Sequence, residues 1–313
     1  MPLDTYVGIW NKVLLRCPMA GPSLAKDWVS NAFRRLAERR HWSWLAKSSQ
    51  FLFNAVYTTG TVTVTLGSTA IVGVATVFTS AMVGRQFRTT TTTPIYTIAT
   101  YTDATHITLD VAYGGATNAT ATYQIYNAFQ EVPTDFWHLI SVWDPAMNWQ
   151  LHLNVSQQEL NAWDAQRANS GQAYLVSARD YAIPSGQTIP VPRYEIWPHL
   201  KSAYVLPYLY TARPTDLPDT GSTLPRRVRG DLLLEMALAE CALWPGPSSD
   251  KKNPYFDVRL AKIHEDKAEF MINELERQDD EVWLQNVSYS YFSQLPWSPG
   301  PFGDASWIQK HAV

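Results

Sequence analysis

The spacing of apolar positions changes character along this chain, and each change marks a different kind of element. Near the start, Val29, Phe33 and Leu36 recur at helical spacing, with Ala32 and Ala37 beside them and Arg40 closing the stripe. Arg34, Arg35, Glu38 and Arg39 take the other face. Ser23, directly after Gly21-Pro22, is the expected N-cap. The pattern predicts an amphipathic helix over LAKDWVSNAFRRLAERRHWSWLAK, ending at the pair Trp42 and Trp44.

From Phe51 to about Tyr126 the period drops to two, and the residues become Thr, Val and Ala with almost no Lys or Glu. GTVTVTLG (Gly60 to Gly67) is the clearest strand, with Thr on one face and Val on the other. IYTIATY, HITLDVAY and ATYQIYN follow at short intervals, separated by the turns TDAT and GGATNAT. Short strands so punctuated predict a small antiparallel sandwich or barrel. Thr89 to Thr93 reads as an edge or loop within it.

A second mixed region runs from Asn127 to about Arg213. AYLVSARDYAI and RYEIWPHLKSAYVLPYLYTARP read as paired strands around the loop Ile183 to Pro192, and SQQELNAWDAQRANSG as a short helix or irregular turn. Helical spacing then returns. Leu232, Leu233, Met236, Ala239 and Leu243 form one stripe, stopped by WPGPS. Phe256, Leu260, Ile263, Phe270, Met271, Leu275 and Val282 form a longer one, with KIHEDKAE and ELERQDDE on the expected wet face. After Asn286 no period survives: Tyr289, Tyr291, Phe292, Trp297, Phe302 and Trp307 are spaced by Pro and Gly, a pattern that makes no core of its own.

The expected class is α+β. A helical layer, made by the N-terminal helix and the C-terminal helical pair, carries an inserted antiparallel β-sandwich or barrel-like module and an extended C-terminal arm. The expected divisions are 1–50 and 128–285 for the core, 51–127 for the inserted β domain and 286–313 for the arm.

Composition sharpens this picture in one respect. Charged residues are 17% of the 313 residues, below the usual ~25%, while aromatics reach 13% with thirteen tryptophans. Such a balance suits both an aromatic core and buried interfaces, where Trp and Tyr are enriched. The net charge of −3 gives no global pull toward nucleic acid or anionic lipid. Cys17 and Cys241 stand far apart without a CxxC spacing, which suits a reducing compartment. No basic start precedes an apolar run and no stretch is long enough to span a membrane, so synthesis in the cytoplasm without a membrane partner is expected.

Chemistry is sparse. No phosphate-binding glycine loop, GxSxG elbow or HExxH spacing occurs, and the seven histidines are scattered. His264 stands beside Glu265, but Ala268 occupies the place a second metal-binding His would need. The residues suggest no enzyme, no cofactor and no metal. Two basic clusters remain: Arg34, Arg35, Arg39 and Arg40, and Arg226, Arg227 and Arg229. Near the first cluster its own helix offers only Glu38 and Asp27, so a contact with a neighbouring subunit or another protein is the favoured reading over DNA or internal salt bridges.

The order of elements resembles head-to-tail adaptor proteins, the neck connectors of tailed bacteriophages. The likeness rests on RRLAERRHWSWL and on GTVTVTLGSTAIVGVATVFTSAMVGRQFR with its F-T-S-x-M-V-G-R pattern. It rests also on EIWPHLKSAYVLPYLYTARPTDLPDTGSTLPRRVRGDLLLEMALAECAL. SQQELNAWDAQRANSGQAYLVSARD fits the link between the last two, and the match runs from about Ser23 to Val287. LPRRVRGD is more basic than the family's turn at that place. The resemblance implies a virion structural protein that forms a ring, usually a dodecamer, under the portal protein. Such a ring extends the channel for double-stranded DNA, which it touches non-specifically, and offers a platform to a tail or nozzle protein. The aromatic residues from Tyr289 to Trp307 would order by binding grooves on the portal, and the β module would project from the ring. A rival reading makes the β module a tail-associated carbohydrate- or receptor-binding domain, and it needs aromatics around Tyr96, Tyr101 and Tyr113 exposed on one sheet face.

Overall fold

Thr5 opens the first helix by accepting the Gly8 N–H on its hydroxyl at 3.1 Å, so one of the orphan donors of the first turn is satisfied. The computed structural model describes residues 3–90, 94–153, 155–183, 188–215, 217, 223–225, 227–248 and 251–286, with side chains described as far as Val282. Its helices are α1 (Tyr6–Arg16), α2 (Gly21–Glu38), α3 (Gln157–Asp164), α4 (Gly230–Leu243) and α5 (Val258–Asn286). The described residues up to Lys47 and from Thr211 onward form one compact unit, and Ser48–Tyr210 form another. The protein is thus mixed α and β, with helix and strand in similar amounts.

The helical unit holds α1, α2, α4 and α5. α1 has no counterpart in the sequence reading, although Tyr6, Ile9 and Val13 mark its buried face. α2 starts two residues before the expected cap Ser23, with Pro22 in its first turn, where a missing N–H costs nothing. It also stops earlier than expected, at Glu38. The buried Trp42 indole donates to the Leu36 carbonyl at 2.7 Å, taking one of the acceptors a continuing helix would use. Trp42 and Trp44 therefore lie beyond the helix, and the segment expected to end it becomes strand from Ala46.

α4 is the central helix, packed against α1, α2 and α5 and buried on most sides through Leu232, Leu233, Met236, Leu238 and Cys241. Leu243, expected in its apolar stripe, is exposed. Asn253 finishes the helix, its Nδ2 donating to the Cys241 and Trp244 carbonyls at 2.9 Å each. α5 lies on α4 with a face that overlaps the expected one only in part: Leu275 is buried as expected and Leu260, Met271 and Val282 are half-buried. Ala261, His264, Ala268, Ile272, Leu275 and Asp279 are buried, whereas Phe256, Ile263 and Phe270 are exposed. Ala261 and Ala268 let the two helix backbones approach, so the bulky residues are left outside.

The second unit contains the strands. β1 (Ala46–Phe53) precedes the run β2 (Thr61–Val64), β3 (Ala70–Val74), β4 (Gln86–Arg88), β5 (Tyr96–Asp103), β6 (His106–Leu109), β7 (Asn118–Ala121) and β8 (Gln124–Tyr126). β2 to β8 make a curled seven-stranded sheet in the order β7-β2-β3-β6-β5-β4-β8, antiparallel at every pairing. As the alternation predicts, Val62 and Val64 point inward. They join Ile71, Phe78, Phe87, Ile98, Ile107, Tyr123 and Ile125 in one core. Gly60 admits no side chain: its φ is +78°, and a Cβ there would lie 2.4 Å from the Val74 carbonyl oxygen.

Beyond it come β9 (Phe129–Glu131), β10 (Phe136–Asp144), β11 (Trp149–Gln150), β12 (Leu175–Ala182), β13 (Val191–Trp197) and β14 (Tyr204–Ala212). β12 and β13 pair antiparallel from Leu175↔Trp197 to Ala182↔Val191, around the loop read from the sequence. β14 belongs elsewhere, in the sheet β1-β14-β10-β11, while β9 completes β12-β13-β9. The segment read as helix or turn is α3, with Ser156 as its N-cap accepting the Glu159 N–H.

Candidate interaction surfaces

The first arginine cluster finds its carboxylates inside the same chain. Arg39 donates from Nη1 and Nη2 to the two Glu269 oxygens at 2.9 and 2.7 Å, and from Nε to Glu276 at 2.8 Å. That bidentate bond holds the Glu269 carboxyl below the usual range and raises the Arg39 guanidinium. Arg40 reaches Asp280 at 2.5 Å and lies over the Trp42 ring. Buried Asp279, between those partners, accepts from the Ser43 N–H at 3.1 Å and from its hydroxyl. Arg35 pairs with Glu240 at 3.4 Å. The acidic turn read as solvated surface thus ties the end of α2 to α5. Counting partners along one helix missed it, because every one of these bonds crosses to a residue over two hundred positions away.

The second cluster is more open. Arg229 pairs with Asp231 at 2.6 Å and with Glu274 at 3.3 Å, and Arg227 is exposed, as is Arg34. Arg226 lies outside the described residues, as do Tyr289, Tyr291, Phe292, Trp297, Phe302 and Trp307.

The outward face of α5 carries the most exposed aromatic among the described residues of the helical unit. Phe270 is 73% exposed and Ile263, two turns before it, 50%. Together with Asp266, Lys267 and Met271 they line a shallow groove. Charges of both signs flank it. Asp266 pairs with Lys262 at 2.9 Å and Arg277 with Glu281 at 2.6 Å, while Lys267 is exposed. Sequence reading singled out these apolar residues and assigned them to the core. The two alanines beneath, at 261 and 268, are the signal that could have placed them outside.

Opposite that face, His264 is buried between two partners. Its Nδ1 meets Glu235 Oε2 at 2.5 Å and its Nε2 meets the Tyr255 hydroxyl at 2.8 Å. With Nδ1 donating to the carboxylate, Nε2 accepts the phenol proton, and burial raises the Tyr255 pKa so that the phenol keeps it. The three residues clamp α4, α5 and the loop joining them. Glu265, the sequence neighbour, takes no part in this bond. Among the described residues no group of His, Cys, Asp and Glu is arranged to hold a metal, and no helix is long and apolar enough to cross a membrane.

The β-rich unit has its own buried charge cluster. Arg167, 7% exposed, bonds Glu195 at 2.5 Å, and Arg179 reaches the same carboxylate at 3.2 Å while lying over Phe129. The aromatics that a ligand-binding sheet face would need point elsewhere. Tyr96 and Tyr113 are buried together, ring centroids 5.5 Å apart, and only Tyr101 of the three reaches solvent. No protein-family model matches the chain, and no curated protein matches it as a relative.

Proposed function

We propose that this chain is an assembly protein of a tailed-phage virion, a non-enzymatic head-to-tail adaptor. In this reading α1, α2, α4 and α5 are the helical layer of a ring, and the curled sheet is the inserted, barrel-like module. The ring docks on the portal protein, extends the DNA channel and presents a platform to a tail or nozzle protein. The portal contact falls to the aromatic segment from Tyr289 to Trp307, with exposed Arg227 beside the second arginine cluster as a further point of contact.

The observation that carries the reading is the outward face of α5. A bulky apolar pair on a rigidly clamped helix marks a surface that another protein covers. The occupant is a second copy of this chain. Asp266, Lys267, Glu274 and Arg277 place both signs around Phe270, so that copies can meet without like-charge repulsion. Negative-stain images and light scattering of the purified full chain, alone and mixed with portal, test this. Closed rings are expected, and Ile263→Asp/Phe270→Asp should leave circular dichroism unchanged while abolishing them. A chain that stays monomeric with portal present defeats the adaptor reading. Rings of normal size from the double variant would move the interface away from α5.

A further inference from the structure

Cys17 and Cys241, remote in sequence, share one pocket of the helical unit. Cys17 follows the last residue of α1 as its C-cap, and Cys241 sits in the last turn of α4; both thiols are free and fully buried. The Asn253 side chain lies against both residues: its Oδ1 accepts from the Cys17 Sγ at 3.3 Å, and its Nδ2 donates to the Cys241 carbonyl at 2.9 Å. Cys17 is close enough to help burial raise the Cys241 thiol's pKa. Cys17 has left helical geometry, at φ −129° and ψ 71°, so its backbone can adjust without breaking a helical turn.

We propose that Cys17 and Cys241 are a latent cross-linking site, closing into an intramolecular disulfide that ties the end of α1 to the end of α4. The oxidant is a low-molecular-weight disulfide. One cysteine thiolate attacks it, forming a mixed disulfide and releasing one small thiol. The second cysteine then attacks the protein sulfur of that mixed disulfide and releases the other small thiol. Two protein thiols have lost two protons and two electrons, and the small disulfide has become two thiols.

Burial sets the rate. It pushes the Cys241 thiol up in pKa, with the neighbouring Cys17 adding to the effect, so little thiolate forms in the closed molecule. Reaction therefore waits for α1 to lift from α4. Once made, the bond is shielded from reductants by the same packing. A protein kept reduced where it is made would close the link only after reaching an oxidising medium.

The test uses the full chain and oxidised glutathione, at urea concentrations rising toward the unfolding midpoint. Free thiols should vanish in pairs, the intact mass should fall by two hydrogens, and digestion should yield one peptide joining Cys17 to Cys241. The melting temperature should shift upward and return when dithiothreitol is added. Cys17→Ser, treated alike, should show neither the joined peptide nor the shift. Glutathione retained on either cysteine of the parent, links between copies, or thiols still free once the native state opens would overturn the proposal, with no need for any variant to fold.

Discussion

Arg39 and Glu269 meet through two parallel hydrogen bonds, Nη1 to Oε2 at 2.9 Å and Nη2 to Oε1 at 2.7 Å, while the third edge of the guanidinium is taken by Glu276. This fork fixes the end of α2 against the middle of α5. It matters for assembly as well as stability, because the groove around Ile263 and Phe270 is carried by the helix that it holds.

Arg39→Glu should therefore destabilise the helical unit before it affects any partner. Both side chains are partly exposed, so screening limits the loss of the pair to about 1 kcal/mol, and reversal adds repulsion from Glu269 and Glu276. Urea unfolding at low and high salt checks this: the deficit should shrink as salt rises. A variant as stable as the parent would show that the fork is dispensable. Loss of ring formation with unchanged stability would assign Arg39 to an interface.

The curled sheet should fold when cut free. Its core residues fall between Tyr57 and Tyr126, and the Tyr57–Ile125 bridge brings the ends of that segment together. A fragment spanning Tyr57 to Tyr126 is expected to give a strand-type circular dichroism spectrum and a cooperative melt. Phe87, fully buried and stacked on Tyr123 at 5.8 Å, tests the core directly. Phe87→Ala should cost about 3–5 kcal/mol, enough to unfold the fragment. A coil-like spectrum for the parent fragment would mean that its strands need the sheets of β9 to β14.

Legibility in the sequence followed the locality of the forces. Alternation in GTVTVTLG located β2 and its inward valines, because a strand's faces are written in period two. The hairpin of β12 and β13 was visible for the same reason, but the transfer of β14 to the sheet of β1 and β10 was not, since pairing across such distances leaves no local trace. The early stop of α2 depends on the Trp42 indole reaching back to Leu36. On α5 the large apolar residues outvoted Ala261 and Ala268, although close helix packing prefers the small side. Arg39 and Arg40 were expected to meet a neighbouring subunit or another protein, and the carboxylates they meet within this chain were hidden by chain distance.

Acid should weaken the β-rich unit at two separate stages, beginning with His199. This residue is 8% exposed, its ring lies 5.0 Å from that of Tyr126, and its Nδ1 has no hydrogen-bond partner among the described residues. Burial lowers its pKa, and the nearby Arg88 and Lys201 charges act in the same direction, against the opposing Asn169 backbone bond and Asp164 charge. The unfolded chain takes up this proton near pH ~6.5, the native protein only at lower pH. Between those two values the unfolded state binds more protons, so stability falls as pH drops through the window and is flat above it. The slope is at most about 1.4 kcal/mol per pH unit for one proton. The second stage comes at lower pH, where Asp180 meets Arg193. That bond depresses the Asp180 pKa, so its contribution is present above the unfolded carboxylate value of ~3.9 and is lost as pH falls through the lower native value. Urea midpoints measured from pH 8 to pH 3 should resolve both stages. His199→Gln should flatten the first and keep the second, and Arg193→Gln should do the reverse. A first stage that survives in His199→Gln would assign it to another histidine.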